Sequence, residues 1–331
     1  MSSEDAPERS ERTPLNKSDA LLANVAILYY KDGLTQNDIA KRLGVSRPTV
    51  VAYLRQAREL NIVDIRINGA SFTVSNLSRE IKDAFDLKDV YLASVFPTED
   101  ESIEAIDVMR HVARAGAMAV YDLLQPGDVL GVAWGQTIQC LAEEMPRGII
   151  RNVKICQMIG SMKSRNLPAP ETSSIRIAAN LGADCFTLHA PAVLSSVEIT
   201  DALKREPLIR SQLENFSILT KTLFSVGNCE LDTQIVKSGI ATTEQIGWYK
   251  EHGAAAVICG RFIDAIGEQV VGELDSRMIG ITPAELKAVG DGILVASGLP
   301  KVEAMLAALR GGYVSYLVTD EPTGQKLLSQ R

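Results

Sequence analysis

The sequence predicts an α/β protein built in two parts: a small helix-turn-helix module near the N-terminus, then a larger, mostly parallel sheet covered by helices. Three observations predict this. Two helix-start residues, Thr35 and Ser46, lie eleven positions apart with Gly44 between them. From Leu77 onward, short apolar runs alternate with helical patterns that carry their own start and stop residues. The charge divides the same way, with a net +1 over residues 1–76 and a net −8 over 77–331, for a total of −7.

With 331 residues, 46% of them hydrophobic and 23% charged, the chain is long enough to bury a substantial core and to hold more than one domain. Its apolar runs, such as Ala254 to Cys259, fall far short of the roughly 18 to 20 residues that span a bilayer, and no basic-then-apolar leader opens the sequence. A membrane or secreted protein is not expected. The five cysteines form neither a Cys-x-x-Cys pair nor a zinc-spaced cluster, and His111, His189 and His252 lie far apart. These features fit the reducing cytoplasm, with no metal and no cofactor expected. G-x-S-x-G, H-E-x-x-H and Walker sequences are absent as well.

Residues 1–18 are polar, mixed in charge and nearly free of large apolar groups, which predicts a flexible tail. Apolar residues at helical spacing from Leu21 to Tyr30 predict a first helix, stopped by Lys31-Asp32-Gly33. Thr35 caps a second helix from Gln36 to Leu43, with Asp38 as a weak capping-box partner, and Gly44 ends it. Ser46 caps a third helix from Arg47 onward, where Pro48 is tolerated because first-turn amides have no intrahelical acceptor. Ile39, Ala40, Leu43, Val45, Val50 and Leu54 form the apolar set that locks these two helices at an angle. Beyond Leu60, the alternation from Asn61 to Ile67, the Asn68-Gly69 turn and the return from Ser71 to Val74 predict a short wing. The helix-turn-helix domain accordingly spans 19–76, and 77–331 forms the second domain.

Strands in that second domain are predicted at 90–93, 129–133, 153–158, 185–189, 223–226, 255–259, 293–296 and 313–318. Helices run from Ser102 to Leu124, from Thr282 to Gly290, and from Pro300 to Arg310 before Gly311-Gly312. Continuous apolar strands alternating with helices imply a mostly parallel sheet covered on both faces.

The stretch from Lys41 to Arg66 carries six basic and two acidic residues, a local +4 on an acidic chain. A helix in the major groove needs small or polar residues facing bases and cations facing phosphates. With Val50 and Leu54 turned inward, Arg47, Thr49, Val51, Ala52 and Arg55 face outward. Arg47 suits bidentate bonding to guanine, and Val51 and Ala52 suit thymine methyls. Ser46 and Thr49 suit phosphates or base edges, and Lys41, Arg42 and Arg58 suit phosphates. A solvated helical hairpin would explain each feature singly, whereas three helices, two caps, a wing and local charge together point to duplex DNA. No aromatic-rich stripe points to RNA or single strands.

In open α/β sheets, ligands bind beyond the carboxyl ends of the strands. Gly135, Gln136 and Thr137 leave the strand at 129–133 and enter a helix from Ile138 to Glu144. Gly135 lets backbone amides approach an anion, and Gln136 and Thr137 add donors at the positive helix end, although Thr137 serves equally well as a plain cap. Lys301, in the first turn of the helix from Pro300, opposes the helix macrodipole, and an anion between the two reverses that cost. A solvated lysine is the alternative. Arg261 and Asp264, which follow the strand at 255–259, offer a guanidinium and a carboxylate, the latter suited to sugar hydroxyls, or form a plain surface salt bridge or turn. Gln157 and Gly160, ending the strand from Val153, complete the candidates.

Taken together, the stretches LTQNDIAKRLGVSRPTVVAYLRQAREL, GVAWGQT, TLHAPAV, ICGRFID, and SGLPKVEAMLAALRGG followed by LVTDE make the chain from Leu21 to Leu328 resemble the SorC/DeoR-type sugar-binding transcriptional regulators. The resemblance implies a winged helix-turn-helix reader followed by a Rossmann-like effector domain related to sugar-phosphate isomerases and deaminases. It implies a homodimer or homotetramer, double-stranded operator DNA as one partner, and a sugar, polyol or sugar-phosphate effector held by Gly135 to Thr137 and Lys301. Two departures stand out. Val51-Ala52 occupies the place where members often carry Ser-Arg, and Gly298-Leu299 replaces the usual double glycine before the lysine.

The expectation is therefore a cytoplasmic regulator of carbohydrate- or polyol-catabolism genes, not an enzyme. The rival is a sugar-phosphate isomerase or deaminase-like enzyme with an accessory helix-turn-helix, against which stands the lack of a convincing acid–base constellation. A structural DNA-bridging protein is a third reading, and it predicts no effect of small molecules on DNA binding.

Overall fold

Caps and one glycine turn shape the first of the two units into which the chain divides, Met1–Ile67 and Asn68–Arg331. The computed structural model describes residues 17–60, 62–63, 75–93, 105–162, 169–231 and 233–331. Helix α1 (Lys17–Ala26) continues into a single π-helical turn at Ile27–Lys31 instead of running on as one regular helix. Thr35 caps α2 (Gln36–Leu43), its hydroxyl accepting from the Asp38 amide at 3.2 Å and donating to the Asp38 carboxylate at 2.6 Å. Gly44 ends α2 at φ 66°, a left-handed conformation that glycine adopts without a Cβ clash. Ser46 then caps α3 (Arg47–Glu59) by accepting from the Thr49 amide at 3.2 Å.

Val25, Leu28, Ile39, Ala40, Val50 and Leu54 are buried together where these helices meet, and Leu22, Ala26 and Ala57 form a smaller cluster beside them. The predicted tail, up to residue 16, and the predicted wing, apart from Ile62 and Val63, lie outside the described residues.

Helix α4 (Asn76–Phe85), capped by Ser75, opens the second unit. There follow β1 (Asp89–Ala93), α5 (Ala105–Leu123), β2 (Val129–Val132), α6 (Gln136–Glu144), β3 (Lys154–Gln157), α7 (Pro170–Leu181) and β4 (Asp184–Phe186). Next come α8 (Val197–Arg205), α9 (Pro207–Glu214), β5 (Lys221–Phe224), β6 (Val226–Gly227), α10 (Gln234–Lys237), α11 (Thr243–Glu251), β7 (Ala254–Ile258) and β8 (Arg261–Asp264). The chain closes with α12 (Pro283–Ala288), β9 (Gly292–Val295), α13 (Val302–Arg310), β10 (Tyr316–Asp320) and α14 (Glu321–Ser329). Seven strands form one sheet in the order β1-β10-β9-β5-β2-β3-β4, and every neighbouring pair is parallel.

Both faces of that sheet are covered, so successive strand residues alternate between two cores instead of between core and water. Val90 and Leu92 of β1 join Ile81 of α4 and Met305 of α13 in one core. Tyr91 and Ala93 join Val112 of α5 and Ile138 of α6 in the other. This is the physical reason the strands read as unbroken apolar runs.

The strand predicted at 255–259 does not enter the parallel sheet. β6, β7 and β8 instead form a small antiparallel sheet with its own core, which includes Ile235, Tyr249 and Phe262. Cys259 and Gly260 make the two-residue turn between β7 and β8, both at positive φ, 47° and 81°. That turn reverses the chain at once, so Arg261–Asp264 is itself a strand of this small sheet and not a segment beyond the end of a parallel-sheet strand. Among the described residues, no helix is long and apolar enough to cross a membrane.

Candidate functional site

In the first unit, Lys41, Arg42, Ser46, Arg47, Val51, Ala52 and Arg55 are exposed and Thr49 is partly exposed, while Val50 and Leu54 are buried. The Ser46 and Thr49 hydroxyls lie 2.7 Å apart, so both take part in the cap of α3. Arg47, the first residue of α3, donates from Nε to Oε1 of Gln36, the first residue of α2, at 3.3 Å. Small apolar side chains and cations thus share the exposed side of a helix whose other side is locked into a core. A major-groove reader requires that division.

In the second unit, the sheet order determines where a ligand can sit. β2 and β5 are neighbours, yet the next strand of this sheet along the chain lies on opposite sides for the two, β3 beside β2 and β9 beside β5. Such a reversal opens a crevice beyond the carboxyl ends of the two strands. A cavity of about 260 Å³ is lined by Trp134 to Thr137, which follow β2, and by Ser225 to Asn228, which follow β5. Lys301, after β9, reaches the same cavity.

Gly135 is the N-cap of α6 at φ 146°, so Thr137 is the second residue of that helix and not its cap. A glycine cap supplies no side-chain oxygen to the first-turn amides, which remain donors at the positive helix end. Thr137 is buried, and Gln136 borders the cavity beside it. Lys301 ends a short 3-10 turn, Leu299–Lys301, and is the N-cap of α13 instead of a first-turn residue in a helix from Pro300. Burial holds its ammonium pKa below the ordinary lysine value, and no carboxylate offsets that among the described residues.

A further part of the wall was not legible in the sequence. Ser225, Thr233 and Gln234 line the cavity, and their Oγ, Oγ1 and Oε1 atoms are buried without a hydrogen-bond partner among the described residues. These three side chains give that part of the cavity wall a polar character. A faint trace in the sequence is Ser225 and Asn228 just beyond an apolar strand, whose meaning depends on β5 lying beside β2. Ile159, Ile240 and Val257 make the remaining wall apolar.

Four expected residues fall elsewhere. Gln157 is buried at the end of β3, where its Nε2 donates to the Ile159 carbonyl at 2.7 Å and its Oε1 accepts from the Leu188 amide at 3.0 Å, so its amide is spent on holding two segments together. Gly160 permits a close backbone approach, since an added Cβ would lie 2.6 Å from the Ala190 carbonyl. Arg261 is 4% exposed and paired at 3.0 Å with Asp275, which also accepts from Gln269 and Tyr249. Asp264 accepts from the Ile266 and Glu268 amides in the turn after β8. The cavity therefore gathers Gly135, Gln136, Thr137 and Lys301 but not Gln157, Gly160, Arg261 or Asp264. Among the described residues, no group of three or more His, Cys, Asp or Glu side chains is arranged to hold a metal ion.

Residues 71–329 match the family model for a sugar-binding domain, and residues 25–64 match that for a winged helix-turn-helix DNA-binding domain. The transcriptional regulator YjhU of Escherichia coli K12 is 37% identical over 303 residues, covering 91% of this chain and 92% of that protein. The deoxyribonucleoside regulator of Bacillus subtilis is 27% identical, covering 93% of this chain and 97% of its own length. Among solved structures, the full-length sorbitol operon regulator SorC of Klebsiella pneumoniae superposes with a TM-score of 0.74 at 27% identity, covering 93% of this chain and 98% of that one.

Proposed function

The chain belongs to the SorC/DeoR-type family of sugar-binding transcriptional regulators, and from that premise we propose which of its residues read DNA and which bind the effector. It is a DNA-binding transcriptional regulator of sugar or polyol catabolism genes. Its reader is the segment 19–76, in which α3 presents Arg47, Thr49, Val51, Ala52 and Arg55 to the major groove and Ser46, Lys41 and Arg42 to the flanking phosphates. Its sensor is 77–331, where Gly135, Gln136, Thr137 and Lys301 hold the anionic end of a small sugar or polyol derivative, a phosphate ester foremost. Ser225, Thr233 and Gln234 line the wall beside that ligand's hydroxyls.

The observation that carries this reading is the meeting, at the switch point between β2 and β5, of uncapped α6 amides with a partly buried lysine that has no carboxylate partner among the described residues. An anion satisfies both at once. Two relatives matched over 93% and 94% of this chain are a sorbitol operon regulator and an erythritol catabolism regulatory protein, which favours a polyhydroxylated effector.

The protein acts in the cytoplasm as a dimer or tetramer on two half-sites, the arrangement that symmetric reader pairs need. The effector shifts operator affinity only by binding one arrangement of the oligomer better than another, and a hundredfold change needs about 2.7 kcal/mol of coupling. It does so without turnover. Cys259 and Lys301 are the titratable side chains of the described lining, and burial pushes the Cys259 thiol up to about 12, which leaves Lys301 without a second acid–base group working near neutral pH in that lining.

Thermal-shift measurements with sugars, polyols and their phosphates test the proposal directly. A ligand that stabilises the wild type should fail to stabilise Lys301→Ala or Thr137→Val, while both variants keep operator binding. Equal stabilisation of all three proteins would put the effector elsewhere, and steady turnover of a sugar phosphate would make the chain an enzyme.

A further inference from the structure

We propose that Gln36 is a positioning residue for base recognition: by holding Arg47 Nε it sets the plane of the guanidinium that α3 offers to a guanine. The proposal rests on the reading of α3 as the DNA-reading helix. Gln36 and Arg47 are the first residues of α2 and α3, eleven positions apart, and the bond between them, Nε to Oε1 at 3.3 Å, crosses the turn at Gly44. It is a bond between two helix N-termini on the same side of the hairpin, and neither partner is needed to fill the unit's core, which is apolar.

The chemistry of the two side chains gives the bond its consequence. Nε belongs to the planar guanidinium, so fixing it fixes the plane and direction of the whole group, while both terminal amino groups remain to donate in parallel to O6 and N7 of guanine. A free arginine loses several side-chain rotations on binding, and an arginine already held loses fewer. The same bond determines how Gln36 is turned. Its carbonyl must face the Nε–H donor, so its amide NH₂ points away at the N-terminus of α2, where a DNA phosphate oxygen is the fitting acceptor. Gln36 therefore ties the register set by a backbone contact to the base read by Arg47.

The test uses the full chain and a randomised duplex library, so no operator need be known. Selection followed by sequencing gives the preference for each base at each half-site position for the wild type, Gln36→Ala, Gln36→Glu, Arg47→Ala and the Gln36→Ala/Arg47→Ala double variant. Arg47→Ala should lose one guanine preference. Gln36→Ala should flatten that same position by about 3- to 10-fold in relative affinity, the worth of one net hydrogen bond, and the double variant should match Arg47→Ala there. Gln36→Glu should bind all duplexes more weakly, because a carboxylate repels phosphate, yet keep the guanine preference because it still accepts from Nε. A Gln36→Ala profile identical to the wild type, or a loss spread evenly over every position, overturns the positioning role. An Arg47→Ala profile with no lost preference overturns instead the assignment of α3, and this proposal with it.

Discussion

The two units hold their candidate sites by opposite means. In the first, the groups proposed to meet DNA lie within Gln36 to Arg55, and the bonds that shape them, Thr35 to Asp38 and Ser46 to Thr49, span three residues. In the second, the cavity draws on residues from Met109 to Lys301, and its flanking strands are joined at their other ends by Lys221 and Asp128, 93 residues apart. A local site survives as long as its own few turns survive. A dispersed site exists only while the whole sheet keeps its order, and that difference sets the size of the effects expected below.

The largest effect should come from the distant pair. Asp128 and Lys221 are nearly buried and bonded at 2.9 Å, with Thr220 Oγ1 and the Gln125 amide also donating to the Asp128 carboxylate. Burial by itself would raise the Asp128 pKa, but the bonds from Lys221, Gln125 and Thr220 outweigh it and hold the carboxyl below its ordinary range. Asp128→Ala strands a buried lysine and should cost about 3 to 5 kcal/mol, read by denaturant unfolding of the sheet unit. Because the folded pKa is depressed, the stabilisation from ionised Asp128 is present above the ordinary carboxylate pKa and is lost as pH falls through the lowered value. Asp128→Asn should lose that part of the acid limb.

An intermediate effect belongs to the reader. Arg47→Ala should weaken operator binding by about 1 to 3 kcal/mol and relax the preference at one base, measured by titration at fixed salt, while leaving the effector-induced thermal shift intact. A reduced thermal shift in that variant would break the contrast, since it would tie the effector site to a side chain of the local one.

The smallest effect should come from a single cap. Ser46→Ala removes one acceptor for an α3 amide and should lower the stability of the helix-turn-helix unit by about 1 kcal/mol, seen as a shift in its helical circular-dichroism transition. If instead it cost as much as Asp128→Ala, the first unit would depend on more than its local bonds.

The same division explains what could be read from the chain. Thr35, Gly44 and Ser46 announce α2, its left-handed stop and α3, because caps and positive-φ turns are decided by neighbours a few residues away. The alternating units were legible for a similar reason, although Arg261–Asp264 passed for a segment beyond the end of a parallel-sheet strand. The chain there reverses through Cys259-Gly260, a two-residue turn without the Asn-Gly or Asp-Gly signature. Gln157 and Arg261 looked like ligand donors because polarity beyond a strand end is visible in sequence, whereas the Ile159 carbonyl and the Asp275 carboxylate that occupy them are not.

By itself, then, the sequence determined the helix-turn-helix hairpin, its outward-facing cations and the loops at Gly135 and Lys301, since each follows from steric and hydrogen-bonding preferences acting over a few residues. Only the tertiary structure decided that β2 lies beside β5 with their connections diverging, and hence that Ser225, Thr233 and Gln234 share a cavity with Lys301. Strand order is chosen by the packing of every helix against both faces of the sheet, and no window of neighbouring residues holds that information.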